Sequence, residues 1–173
     1  MDVEDFIDSV RDEASTELSR LGSSKSLYAD TEGEMDGDVV RGVVADHLLA
    51  VATTLDDWGD EETGVAADRF ARDTETLYDH AGAIAPGRDP PTEKPAVAAY
   101  LADCDGAPGR LGAYVGWLLV ASAKTSQAVG FFVGQADPRP ADDFRDVDAA
   151  LEDALDAAHE ALSEAVADAE DSQ

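Results

Sequence analysis

Apolar residues recur along this chain at intervals of three and four in five long segments, and they nowhere alternate over a convincing strand length. That period puts one apolar face on each of five helices. The first helix is predicted over about 3–21, with Phe6, Ile7, Val10, Ala14, Leu18 and Leu21 on its face. The second, about 38–58, carries Val40, Val43, Val44, Leu48, Val51, Leu55 and Trp58, and Asp36-Gly37-Asp38 offers it an N-cap. Gly59-Asp60 is read as a break before the third, about 61–84, whose inward residues are Phe70, Leu77, Ala81 and Ile84. The fourth is predicted over about 108–133. The fifth, about 141–169, follows a loop ending at Pro138-Arg139-Pro140 and turns Phe144, Val147, Leu151, Leu155, Ala158 and Leu162 inward.

One connection is long. Pro86-Gly87-Arg88-Asp89-Pro90-Pro91 is barred from a helix interior, because proline lacks the amide hydrogen and its ring collides with the preceding turn. Through Pro95 and a short helical piece it reaches Cys104, about the length of a crossover. Five helices, short loops and one crossover predict a single all-α domain over 1–173, a ferritin-like helical bundle of four to five helices. With the first helix counted as long, the crossover follows the third long helix, not the second. The match is therefore to the class and not to its helix order.

Charge constrains the solvent. There are 39 acidic residues against 12 basic ones, a formal net charge of −27; 26 of the acids are Asp and only Lys25, Lys94 and Lys124 are Lys. The acids are spread over amphipathic segments and not gathered in a tail. In dilute buffer they repel one another, whereas in molar salt the Debye length falls to about 3 Å and the repulsion is screened. Scarce lysine also removes long apolar stems that would turn adhesive as salt strengthens hydrophobic association. The composition predicts the cytoplasm of an extreme halophile. Met1-Asp2-Val3-Glu4-Asp5 is acidic and lacks the apolar core of a signal peptide. The one long apolar run, 111–123, is too short for a bilayer, which needs about 20 residues, and reads as a buried core helix.

Polar residues on the apolar faces are the candidates for chemistry. His47 sits three residues after Val44, four after Val43 and four before Val51, near the middle of its stripe. Glu17 falls within about 40° of the first helix's stripe centre by the same arithmetic. A buried carboxylate needs a proton, a base or a metal, and His47 is the obvious partner, so Glu17 and His47 form the candidate metal pair. Both also read as ordinary polar residues of a core or rim. His80 lies on a flank, and Asp156-x-x-His159 has metal-site spacing but sits at the edge of its stripe and beyond. A di-iron bundle site needs Glu on two helices and Glu-x-x-His on two more, and no Glu-x-x-His occurs here. Cys104, the sole cysteine, excludes an intramolecular disulfide and a cysteine zinc cluster. No Ser-His-Asp or Cys-His nucleophile arrangement can be argued, Gly106, Gly109 and Gly112 fit no phosphate-loop pattern, and no basic patch points to nucleic acid. Gly112-x-x-x-Gly116 and Gly130-x-x-x-Gly134 predict close helix approach, within the chain or to a second copy.

The stretches Leu18-Ser19-Arg20-Leu21-Gly22-Ser23-Ser24-Lys25-Ser26-Leu27-Tyr28-Ala29-Asp30 and Gln127-Ala128-Val129-Gly130-Phe131-Phe132-Val133-Gly134-Gln135-Ala136-Asp137 resemble a small family of halophilic archaea labelled rubrerythrin-like, over about a seventh of the chain. The resemblance implies a ferritin-like bundle and, for true rubrerythrins, di-iron peroxide reduction beside a rubredoxin-type iron site. That site needs four cysteines where this chain has one, so no ligand carries over residue by residue. The expectation is a non-catalytic, salt-adapted bundle without a cofactor, working through protein contacts or as a homo-oligomer, with neither membrane nor nucleic acid as partner. The alternative is a rubrerythrin-like metal or redox protein, holding iron with Glu17, His47 and residues of a second subunit.

Overall fold

Alanine, leucine and glutamate lose little side-chain freedom in a helix. In the computed structural model, which describes residues 3–171, every regular element is accordingly an α-helix: α1 (Val3–Glu13), α2 (Ser15–Leu21), α3 (Ser24–Asp30), α4 (Gly37–Glu61), α5 (Gly64–Ile84), α6 (Ala96–Ala102), α7 (Ala107–Gly134) and α8 (Pro138–Asp171). Asp36 caps α4 as predicted, its carboxylate accepting from the Asp38 amide at 2.9 Å. The short piece in the crossover is α6.

Three boundaries differ from expectation. Gly59 does not break α4, which continues to Glu61 because Trp58 is buried and its carbonyl accepts from the Glu62 amide. A Cβ at Gly59 would stand 3.7 Å from the Ala71 amide nitrogen, an ordinary contact on the side of α4 that faces α5. The turn comes instead at Gly64, whose φ of +64° suits glycine. Pro138 and Pro140 open α8, since the first turn needs no amide donors and proline's fixed φ suits it. The first predicted helix bends at Ala14 (φ −92°, ψ 9°) into α1 and α2.

The four long helices pack as two antiparallel hairpins, α4 with α5 and α7 with α8, joined through the α5–α8 contact. At one end of the molecule Arg41 donates to the Ile84 carbonyl at 2.9 Å and Arg88 grips both carboxylate oxygens of Asp46 at 2.6 and 2.7 Å. At the other, Arg110 at the start of α7 reaches Glu61 and Glu62 at the end of α4. The crossover therefore runs the length of α4, with α6 seated on α4 and α7. It follows the second long helix, because the first predicted helix is split into short pieces that pack on α7 and α8. Gly42 lies under this clasp: a Cβ there would stand 2.8 Å from Arg88 Nη1, so the guanidinium would have to shift.

The interior is a chain of rings, Trp58 to Phe70 at 5.2 Å, Phe70 to Tyr114 at 6.4 Å and Tyr114 to Trp117 at 5.8 Å between centroids. Each such side chain contributes about 1.5–3 kcal/mol by burial. Contact with α8, α2, α3, α6 and α4 explains why α7 is apolar nearly all round. No helix among the described residues is long and apolar enough to cross a membrane.

Candidate functional site

Of the long helices that lie side by side, α4 and α7 touch least, and α2, α3 and α6 roof the slot between them. Splayed helices leave room, and the room is a cavity of about 420 Å³. Leu27, Leu48, Trp117 and Ala121 make buried parts of its wall, with Val43, Val44 and Val120 beside them. His47 lines it, as the phase of α4 requires, together with Asp30, Lys124, Thr125 and Gln127. Lys124 Nζ lies 2.6 Å from Asp30 Oδ2, an ion pair with both side chains about a quarter exposed, at 23% and 24%. Burial lowers the His47 pKa from 6.5, Lys124 lowers it further, and Asp30 and Asp46 oppose them without reversing the direction. The imidazole is thus neutral at pH 7, with one donor and one acceptor nitrogen. It makes no hydrogen bond to another of the described residues.

Glu17 is corrected. It is exposed, α2 buries none of its residues fully, and Glu17 neither lines the cavity nor figures among the charges acting on His47. The helical phase was counted through Ala14, where the bend breaks it. His80 and His159 are half-buried and Asp156 is exposed. The half-buried Cys104 thiol contacts the Tyr100 carbonyl at 3.6 Å.

A second polar cluster escaped the sequence reading. Asp73 on α5 is only 2% exposed and is paired with Arg69 one turn earlier. Burial raises its pKa, and Arg69 offsets only part of the rise. Burial and then the Asp73 charge push the Tyr114 phenol well above its usual value. The Tyr114 phenol faces the Asp73 carboxylate, and Thr74 Oγ1 and Arg69 Nε are buried without a hydrogen-bond partner. The signal was present, since Asp73 lies three residues after Phe70 and four before Leu77.

The glycines of α7 also depart from expectation. A Cβ at Gly109, Gly112, Gly116, Gly130 or Gly134 would meet nothing within 4 Å, so these positions do not mark close helix approach inside the chain. Gly109, Gly112 and Gly116 instead floor an open groove of about 660 Å³ walled by Ile7, Val10, Leu119, Leu162 and Val166. Among the described residues no Asp, Glu, Lys or Arg lines it.

The di-iron centre implied by the family resemblance does not fit these residues. Among the described residues no three His, Cys, Asp or Glu side chains gather where one ion could reach them. Asp73, the one fully buried carboxylate there, is held by Arg69, and Lys124 stands beside the cavity histidine. Comparisons with protein-family models, with curated proteins and with solved structures find no match for this chain.

Proposed function

We propose that this chain is a salt-adapted, cytoplasmic helical bundle of ferritin-like class that acts without catalysis, as a homo-oligomer whose copies meet on the groove of α7. Four long helices with one end-to-end crossover after the second support the class assignment. The observation that carries the assembly is the groove. In a chain with 29% charged residues, no described residue lining this face is charged, and its glycine floor leaves space for another backbone. An uncharged apolar face is where two strongly acidic copies can meet without opposing carboxylates, and molar salt strengthens that burial. Tyr100, 69% exposed and part of the groove lining, offers a large ring to such a contact.

Light scattering after gel filtration in molar KCl tests this reading. Wild type should elute with at least twice the 18.2 kDa chain mass, and with less than one metal per chain. Gly116→Trp should be monomeric with wild-type helix content, because a side chain starting there meets nothing of its own chain within 4 Å of its Cβ. A wild-type monomer at every concentration would refute the assembly. Stoichiometric iron retained through filtration would refute the non-catalytic reading and restore the redox alternative.

A further inference from the structure

The cavity between α4 and α7 shares no lining residue with the groove and is a separate opportunity. We propose that it binds a small neutral amphiphile, a molecule with a compact apolar body and one uncharged hydrogen-bonding end such as an alcohol, phenol or ketone.

Size and wall chemistry set the body of the ligand. About 420 Å³ lies within the range of small-molecule sites, roughly 300–1,000 Å³. Leu27, Leu48, Trp117, Val43 and Val120 offer apolar and aromatic contact, and Trp117 presents a flat ring. The polar end is small and already neutralised. Asp30 occupies the Lys124 ammonium, so the pair brings no net charge. His47 adds an uncharged ring whose nitrogens no described residue satisfies.

Charge then selects among ligands. A carboxylate or phosphate would approach a chain of net charge −27 and find the Lys124 ammonium already held by a carboxylate. A cation would meet Lys124, with Asp30 already engaged. A neutral hydroxyl or carbonyl avoids both conflicts and matches the donor and acceptor of a neutral imidazole. A body with no polar group at all would leave those nitrogens unmatched, which is costly in an apolar setting.

Isothermal titration of the full chain in molar KCl tests the proposal, with 1-naphthol as the neutral probe. 1-Naphthoate and 1-naphthylmethylammonium are its charged counterparts, and naphthalene is the bare body. 1-Naphthol should saturate one site per chain, with both ions at least about tenfold weaker. His47→Leu should weaken 1-naphthol about tenfold, the loss of one hydrogen bond, and leave naphthalene unchanged. Ala121→Trp should abolish binding by filling the cavity. Val120→Trp fills it from a half-buried position and serves if Ala121→Trp fails to fold. No saturable binding of 1-naphthol, an ion binding as tightly as the neutral probe, or binding that survives the cavity-filling variant would each overturn the proposal.

Discussion

Arg110 fastens the start of α7 to the end of α4, and replacing it should destabilise the fold by an amount its contacts allow one to work out. Its side chain is 10% exposed. Nη1 donates to Glu62 at 2.9 Å, Nη2 to Glu61 at 2.5 Å and Nε to the Cys104 carbonyl at 3.1 Å, while the guanidinium sits 5.5 Å from the Trp58 ring centroid. These contacts differ in worth. Glu61 is 61% exposed, so that pair contributes at most about 1 kcal/mol. Glu62 is 17% exposed, and a charge-assisted bond there contributes about 1.5–3 kcal/mol. The carbonyl bond and the ring contact add about 1 kcal/mol each.

Arg110→Met keeps much of the apolar stem and removes only the polar part, so the loss should be about 3–5 kcal/mol, as for other broken buried pairs. For a chain of this size that lowers the melting temperature by about 6–20 °C. Urea unfolding in molar KCl reads the loss directly, and salt should not erase it, because largely buried pairs are screened far less than surface ones. Double-mutant cycles with Glu61→Gln and Glu62→Gln locate the energy. Coupling to Glu62 should exceed coupling to Glu61. A total loss below about 1 kcal/mol, or the opposite ranking, would refute the reasoning.

Dialysis from molar KCl to about 0.05 M should remove helix in far-ultraviolet circular dichroism, since the −27 charge is then poorly screened; unchanged helicity and melting temperature would contradict it. His47 should make stability fall as pH drops below about 6.5, because the unfolded chain takes up a proton there and the folded ring, held below that value by burial, takes it up only at lower pH. His47→Gln should flatten that slope between pH 6.5 and 5, and an identical slope in the variant would remove His47 as its source. Tyr114→Phe should lower stability by about 1 kcal/mol, since it deletes the phenol that helps hold the buried Asp73 carboxylate; an unchanged or raised stability would mean that the hydroxyl gives Asp73 no support.

The long helices were legible because their stripes are long. Val40 through Trp58 and Phe144 through Leu162 each repeat over several turns, and α4 and α8 appear within a few residues of where they were expected. Helix ends depend on fewer residues, and by sequence a proline such as Pro138 fits a loop and a first helical turn equally well. The first helix was overestimated because Ala14, small and undemanding, holds the middle of its stripe. Spacing likewise shows that Gly112 and Gly116 share a face, while only the fold shows that nothing stands opposite them.

Phase tells which way a side chain points, and partners are set by chains far apart in sequence. Phase alone points His47 inward, and it lines the cavity between α4 and α7. Asp73 obeyed the same arithmetic, and its counterion Arg69 sits a single turn away, so that pair was readable before any fold was known. The ion pair beside His47 was not, for Asp30 and Lys124 are 94 residues apart and meet only because α3 folds back onto α7. That meeting gives the cavity its neutral polar end. A reading from spacing alone therefore assigned His47 a carboxylate on the first helix, where the folded chain supplies an ammonium already paired with its own carboxylate.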